Sequence, residues 1–394
     1  MGAFFSHLEC SIPCGAGPSD PRHVHQRCVC GAPLLARYDL TAAKRWPRST
    51  LGGREASMWR YRDLLPLLQS SRGLDPPVTL GEGWTPLLRA RRLGSTLGLK
   101  RLYLKDESLN PTGSWKARGM ATLFTRALHL GVKRVGVTGD GRLAHAAAAY
   151  AARAAIELNV VLSDTDHMPG ADVVASLHGA KVSTIEGSAE EAERHLARQV
   201  ADQGWFDASA GAEPYRLEGQ KTIGYEVAEQ LGWQIPDWIV CPAATGVTLV
   251  GLAKAFVEMA ALGWIDPVRR PHLVAVQAAG CAPLVRAFGA GAPDVERWTA
   301  LRTAANDLRV LQPPAGALAL KAIKESGGTA TGVGDVEMAK EVRLIASLEG
   351  LSPAPGAGAA MHAVRVLASE GRIKPHDTVV VINPGSAADL PVPR

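Results

Sequence analysis

The stretch Arg101-Leu102-Tyr103-Leu104-Lys105-Asp106-Glu107-Ser108-Leu109-Asn110-Pro111-Thr112-Gly113-Ser114-Trp115-Lys116-Ala117-Arg118-Gly119 decides the fold. Leu102, Tyr103 and Leu104 read as a strand, and Asn110-Pro111-Thr112-Gly113 reads as a turn. Ser114 is then expected to cap a helix running on through Ala117, Met120 and Leu123. Lys116 falls in the first turn of that helix, where the macrodipole disfavours a cation. A neutral amine is the form that attacks an aldehyde to give a Schiff base, so Lys116 is a candidate for covalent catalysis. The bland alternative is a surface lysine at a helix start.

Outward from this stretch, short apolar strands alternate with helices. Val135–Thr138 precedes an alanine-rich helix over Leu143–Ala155, and Asn159–Leu162 is a strand followed by a helix over Asp172–Leu177. Lys181–Ile185 leads into a helix over Ala189–Gln203. After Gly219 come a helix over Thr222–Leu231, a strand over Trp238–Cys241, a turn over Pro242–Thr248 and a helix over Leu249–Leu262. His272–Gln277 and Asp377–Ile382 are two more buried strands. Such alternation predicts an α/β protein with parallel, doubly wound sheets. Residues 1 to 75 read as an N-terminal arm containing a helical stretch over Met58–Leu68, with regular structure beginning at Val78.

With 394 residues the chain can build two sizeable cores. Its 46% hydrophobic and 21% charged residues are ordinary for a globular protein, and the net charge of +5 is dispersed. No basic stripe points to nucleic acid, and no apolar run points to a membrane. Met1-Gly2-Ala3-Phe4-Phe5-Ser6 fits a short myristoylation pattern that is read as accidental, and the protein is expected to be cytoplasmic. Six cysteines do not make a disulfide framework. Cys241 and Cys281 sit in apolar runs and read as core, whereas Cys10, Cys14, Cys28 and Cys30 are clustered. Two such pairs suit a tetrahedral thiolate site for structural zinc, or remain reduced and unligated. His23 and His25 lie close by and read as solvated loop residues.

Lys105-Asp106-Glu107, Asn110-Pro111-Thr112-Gly113-Ser114, the aromatic Trp115, Lys116 and Ala117-Arg118-Gly119 together resemble the pyridoxal-phosphate (PLP) lysine motif of the threonine synthase family. The resemblance extends to Leu80-Gly81-Glu82-Gly83-Trp84-Thr85-Pro86-Leu87 and to Glu213-Pro214-Tyr215-Arg216-Leu217-Glu218-Gly219-Gln220-Lys221-Thr222. Near the N-terminus, Pro33-Leu34-Leu35-Ala36-Arg37-Tyr38-Asp39-Leu40 is similar to the end of a cysteine-bearing segment in many members. Membership implies the two-domain fold-type-II architecture, like the tryptophan synthase β subunit, with parallel sheets flanked by helices. It also implies a larger cofactor domain (76–125 with 225–394), a smaller substrate domain (126–224) and a homodimer. Lys116 would be the catalytic, cofactor-bearing lysine. The cofactor's phosphate would meet the turn Ala244-Thr245-Gly246-Val247-Thr248, where the family has Gly-Gly-Gly-Thr-Gly. Thr245-Gly246-x-Thr248 also resembles the hydroxyl-rich phosphate loop of aminocyclopropane-carboxylate deaminases.

The chain departs from the family pattern where chemistry is tuned. Gly139-Asp140-Gly141-Arg142-Leu143-Ala144 stands in place of Ser-Ala-Gly-Asn-Ala-Gly, the loop that frames a substrate carboxylate. The asparagine that bonds the PLP phenolate oxygen is thus Arg142, which either binds an anionic group, pairs with Asp140 or points to solvent. Asn383-Pro384-Gly385-Ser386 stands for Asn-Thr-Gly-Ser, leaving Ser386 as the nearest partner for the pyridine nitrogen, because proline has neither hydroxyl nor N–H. Pro355-Gly356-Ala357 stands for Pro-Glu-Gly, so an acidic side chain is missing there. Ser114, Gly139, Asp140, Arg142 and Lys221 are candidates for contacting the substrate, a small-molecule amino acid. Lys221 and Arg118 read as anchors for a substrate phosphate or as solvated charges.

The resemblance therefore implies a PLP-dependent lyase or synthase acting at the β and γ carbons of an amino acid, with O-phosphohomoserine the family default. The departures leave room for a changed substrate. They also leave room for a homologue that has lost PLP, acting as a binding protein or as a PLP-independent enzyme.

Overall fold

The computed structural model describes residues 3–70, 73–164 and 170–387. Met1 and Gly2, which open the pattern Met1-Gly2-Ala3-Phe4-Phe5-Ser6, lie outside them. The described residues form two compact units: Met1–Gly83, Asn110–Thr112 and Lys116–Gln220 make one, and Trp84–Leu109, Gly113–Trp115 and Lys221–Arg394 make the other.

The first unit is built on a four-stranded parallel sheet with the order Phe206–Asp207, Arg134–Thr138, Glu157–Ser163, Lys181–Ile185. Val135, Val137, Leu158, Val160 and Leu162 are buried, as expected of strands covered on both faces. The helix Gly141–Ala154 presents small residues, Ala146, Ala147 and Ala148 among them, which lets it pack closely. Its start is fixed by Asp140, whose side chain accepts from the Leu143 N–H. At Ala189–Gln203 the Ser188 and Glu191 side chains form a reciprocal capping box.

Regular structure begins much earlier than expected. Phe5–Cys10 pairs antiparallel with Leu34–Tyr38, and the cysteine-bearing loop lies between these two strands. The expected helix at Met58–Leu68 is a shorter 3-10 segment, Met58–Leu64, kinked at Tyr61. Residues up to Gly83 and the helix Lys116–His129 pack with the first unit, whereas the sequence grouped 76–125 with the C-terminal half. Particular bonds account for this: the Val78 N–H donates to Thr125 Oγ1 (2.9 Å), and Thr122 Oγ1 donates to the Tyr215 carbonyl (2.9 Å). At Gly219 a Cβ would fall 2.0 Å from the Arg118 carbonyl oxygen, so only glycine allows these two helices to touch.

In the second unit a six-stranded sheet runs Thr329–Val333, His272–Ala278, Trp238–Pro242, Thr378–Asn383, Arg101–Asp106, Leu87–Arg89. All neighbours are parallel except Leu87–Arg89, which closes the edge antiparallel to Arg101–Asp106. Val240, Val274, Val379 and Val381 enter one core with Ala359, Ala360 and Val364 of the helix Pro355–Ser369. Lys105 is buried on this sheet without leaving its charge uncompensated: its ammonium lies 2.7 Å from Glu226 Oε2. Among the described residues no helix is long and apolar enough to cross a membrane.

Candidate active site

Lys116 is the first residue of the helix Lys116–His129 and is partly accessible, its side chain 22% exposed. The chain arrives there through a tight turn, with Thr112 and Gly113 at φ of 64° and 68°. A β-branched residue in the left-handed region is uncommon, and such backbone is found where neighbouring structure imposes it. Here the imposing structure is backbone pairing: Ser114 bridges Gly385, the Trp115 N–H donates to the Pro384 carbonyl (3.0 Å), and the Ser386 N–H donates to the Gly113 carbonyl (3.0 Å). Residues just before Lys116 are thus stitched to the loop that follows the strand Thr378–Asn383. Ser114 is buried in this stitch, two residues ahead of the helix it was expected to cap.

The Lys116 ammonium is hydrogen-bonded to Asp140 Oδ2, while Asp140 Oδ1 accepts from the Leu143 N–H at 2.8 Å. Asp140 therefore serves two purposes, as the cap of one helix and the counter-charge of another. Burial pushes its carboxyl up, but the Lys116 charge, the hydrogen bond from Lys116 and the Leu143 N–H outweigh this and hold it below the usual carboxylate range. Gly139, at φ 152°, leads into this cap, and a Cβ there would lie 2.7 Å from Leu143 Cδ2. Arg142 is only 5% exposed in the first turn of the helix Gly141–Ala154, which removes the solvent-pointing option.

In the second unit the candidate phosphate turn follows the strand Trp238–Pro242 and opens the helix Val247–Ala261. Gly246 caps that helix at φ 80°, and its missing side chain leaves room for the Ala315 carbonyl and the Ala319 methyl, which a Cβ would meet at 3.2 and 3.1 Å. The third glycine of the family's run, kept here as Gly246, is the one the geometry requires. Thr245 Oγ1 accepts weakly from the Val247 N–H (3.4 Å), Thr248 is buried, and Ala244 needs no special conformation.

Beside Gly356, where the family's acidic side chain is missing, a carboxylate from another part of the chain is bound to the backbone. Asp307 Oδ2 accepts from the Gly356 N–H at 3.0 Å, and a Cβ on Gly356 would lie 2.8 Å from that oxygen and 3.1 Å from Pro242 Cβ. Two residues earlier, the Ala354 N–H donates to the Gly385 carbonyl, which places Asp307 near the start of the loop carrying Ser386. No local pattern around Asp307 signals this.

Lys221 proves to be buried rather than solvated, with its ammonium 2.9 Å from Glu258 Oε2 and over the Tyr225 ring. Glu258 also receives the Tyr225 hydroxyl and lies 3.6 Å from the Lys254 ammonium, so one carboxylate answers several donors. The four clustered thiols do come together: the Sγ atoms of Cys10, Cys14, Cys28 and Cys30 all lie within 4.8 Å of one another. Cys241 and Cys281 are buried, as expected of core residues.

A family profile described as "Pyridoxal-phosphate dependent enzyme" matches residues 78–385. The chain belongs to this family. It is 37% identical over 379 residues to the threonine synthase of Methanosarcina acetivorans, covering 96% of this chain and 91% of that one. It is 33% identical over 332 residues to the threonine synthase of Mycobacterium tuberculosis H37Rv, covering 84% and 88%. Among solved structures, the threonine deaminase of T.th. superposes with a TM-score of 0.64 at 25% identity, covering 78% of this chain and 94% of that chain. Maize serine racemase shares the fold at a TM-score of 0.66 and 19% identity, covering 77% and 88%. This PLP-dependent enzyme is therefore threonine-synthase-like and has the fold-type-II architecture.

Taken residue by residue, the donors present suit that cofactor's chemistry. Lys116 offers an accessible amine, the Gly246 turn offers backbone N–H groups at the start of a 15-residue helix, and Ser386 offers a hydroxyl.

Proposed function

We propose that this threonine-synthase-like PLP enzyme acts on O-phosphohomoserine, eliminating its phosphate from the γ carbon and adding water at the β carbon to give threonine. The observation that carries this is the placement of Lys116, accessible at the head of a helix and directly after the stitch between Gly113–Trp115 and Pro384–Ser386. The identity to threonine synthases over most of the chain supports the substrate.

PLP, when bound, supplies an aldehyde for an amino group and a ring that stabilises negative charge at Cα. Lys116 anchors it and then moves protons at the α and β carbons of the substrate. Asp140 holds the Lys116 amine in place as its counter-charge. Ala244, Thr245, Gly246, Val247 and Thr248 receive the cofactor phosphate through backbone N–H and hydroxyl donors. Ser386 would supply a hydroxyl toward the pyridine nitrogen, and Arg142 would stand in for the lost asparagine toward the phenolate oxygen. Ser114, Gly139 and Arg142 frame the amino-acid substrate. Lys221, paired with Glu258, contributes to the electrostatics of an anionic substrate rather than serving as its main anchor.

The same reading gives the N-terminal arm a structural zinc at Cys10, Cys14, Cys28 and Cys30. It also takes from the resemblance a cytoplasmic homodimer, which sedimentation of the purified chain checks.

The test is phosphate release from O-phosphohomoserine by the purified, PLP-loaded chain. Phosphate and threonine should form together and vanish in Lys116→Ala, along with the protein's visible PLP absorbance. Turnover of serine or threonine to an oxo acid, with O-phosphohomoserine left intact, would overturn the substrate assignment.

A further inference from the structure

The four cysteines of the arm are arranged as a metal site, and what lies between them reaches the helix that carries Lys116. Cys10 and Cys30 have their sulfurs 3.6 Å apart, as do Cys14 and Cys28. A tetrahedral zinc with Zn–S bonds of about 2.3 Å sets its sulfurs about 3.8 Å apart along each edge. A disulfide needs about 2.05 Å, and all four cysteines are free. Along the chain, the ligand pairs Cys10/Cys14 and Cys28/Cys30 are each followed by a glycine in the left-handed region, Gly15 at φ 78° and Gly31 at φ 84°, which turns the chain back sharply after the second ligand. Backbone bonds hold the ligands in place: Leu8 exchanges both hydrogen bonds with Ser19, the Ser11 N–H donates to the Pro33 carbonyl, and the Cys28 N–H donates to the Ala32 carbonyl. Four soft thiolates select zinc over magnesium, calcium or manganese, and a closed set of protein ligands leaves no position for substrate.

The loop between the pairs is tied to the rest of its unit at two points. Gln26 Nε2 donates to the Asp207 carbonyl at 2.8 Å. The Pro21 carbonyl accepts from Arg126 Nη2 at 2.5 Å. Arg126 is fully buried, and its guanidinium lies 5.7 Å from the Phe5 ring centre and 5.5 Å from that of Tyr215. Arg126 belongs to the helix Lys116–His129. A buried guanidinium is costly when it loses a hydrogen-bond acceptor, so a loose loop would be felt along that helix.

We propose that zinc held by Cys10, Cys14, Cys28 and Cys30 clamps the loop whose Pro21 carbonyl receives Arg126, and so braces the helix carrying Lys116. This rests on the zinc reading of the arm and is independent of the cofactor assignment. The metal sits outside the chemistry and sets how firmly the lysine is presented.

Metal analysis of the full-length protein, purified without added metal or chelator, should find about one zinc per chain. It should find none in the double variant Cys10→Ser/Cys28→Ser. Stripping zinc with a chelator should raise amide hydrogen exchange across residues 116–129 and lower Tm. Restoring zinc should reverse both changes, in wild type but not in the variant. Arg126→Leu should keep the zinc while making exchange in that helix insensitive to its removal. Iron or no metal in the wild-type protein would overturn the site. Zinc whose removal leaves exchange of the helix unchanged would overturn the brace while leaving the PLP assignment to its own spectroscopic test.

Discussion

Lys116 carries a charge to a helix start, where the backbone dipole opposes it, and Asp140 makes this tenable. The aspartate is a departure from the family pattern, and its position against the amine makes it a counter-charge that holds the amine in place. Asp140→Asn can keep the cap on Leu143 while losing the charge, so the helix should survive and the chemistry should suffer. Misplacing a catalytic group can cost about 10²-fold, and phosphate release should slow by roughly that factor. The pH dependence has a definite sign. The folded Asp140 carboxyl lies below its unfolded value of about 3.9. The pair's contribution to stability is therefore fully present above that value and disappears as pH falls through the lower folded one. Urea midpoints of wild type and Asp140→Asn should differ near neutrality and converge in acid. A gap that stays constant down to about pH 3, below the unfolded value, would remove Asp140 from this role.

Among the elements, Glu82 shows how distant segments are locked around one group. It is fully buried and accepts from the Trp59 indole N–H (2.5 Å), the Tyr150 hydroxyl (2.5 Å) and the Leu80 N–H (2.9 Å). It thereby joins the opening segment near Val78, the 3-10 turn Met58–Leu64 and the helix Gly141–Ala154. Burial, and then the Glu82 charge, push the Tyr150 phenol up, which keeps it a donor. Glu82→Ala would strand the Trp59 and Tyr150 donors without their acceptor, at about 1–3 kcal/mol each, and should destabilise the protein by about 2–6 kcal/mol. Glu82→Gln retains an acceptor oxygen and should cost less, the order being read from chemical denaturation with unchanged m-values. The Leu-Gly-Glu-Gly wording marks this glutamate in the sequence, but its partners stand 23 and 68 positions away and leave no local trace. The same holds for Asp307, 49 positions before Gly356, and for the hairpin Phe5–Cys10 with Leu34–Tyr38, whose strands are separated by the cysteine loop. The burial of Lys221 is illegible for that reason too, since the Glu258 that answers it lies on another helix.

Over the whole molecule, what can be read in advance is whatever the chain encodes contiguously. Apolar strands buried on both faces give the parallel strands of the two main sheets, and the run ending in Lys116-Ala117-Arg118-Gly119 gives the lysine with its turn. The division into units is harder to read because the chain crosses repeatedly near Lys116, with Asn110–Thr112 in one unit and Gly113–Trp115 in the other. The proposed cofactor draws on Lys116 and on the turn at Gly246, which yields a prediction at the scale of the whole chain. A ligand that binds only the folded protein stabilises it by an amount set by its excess over Kd, about 2.7 kcal/mol at a hundredfold excess. PLP should therefore raise Tm progressively with its concentration. Lys116→Ala should retain a smaller, readily reversed shift carried by the phosphate turn alone. Gly246→Ala should lose most of the shift, because a methyl at φ 80° and 3.1 Å from the Ala319 Cβ distorts that turn. Equal shifts in all three proteins would mean that PLP is held by neither Lys116 nor the helix start at Val247, and the cofactor roles of both would have to be given up.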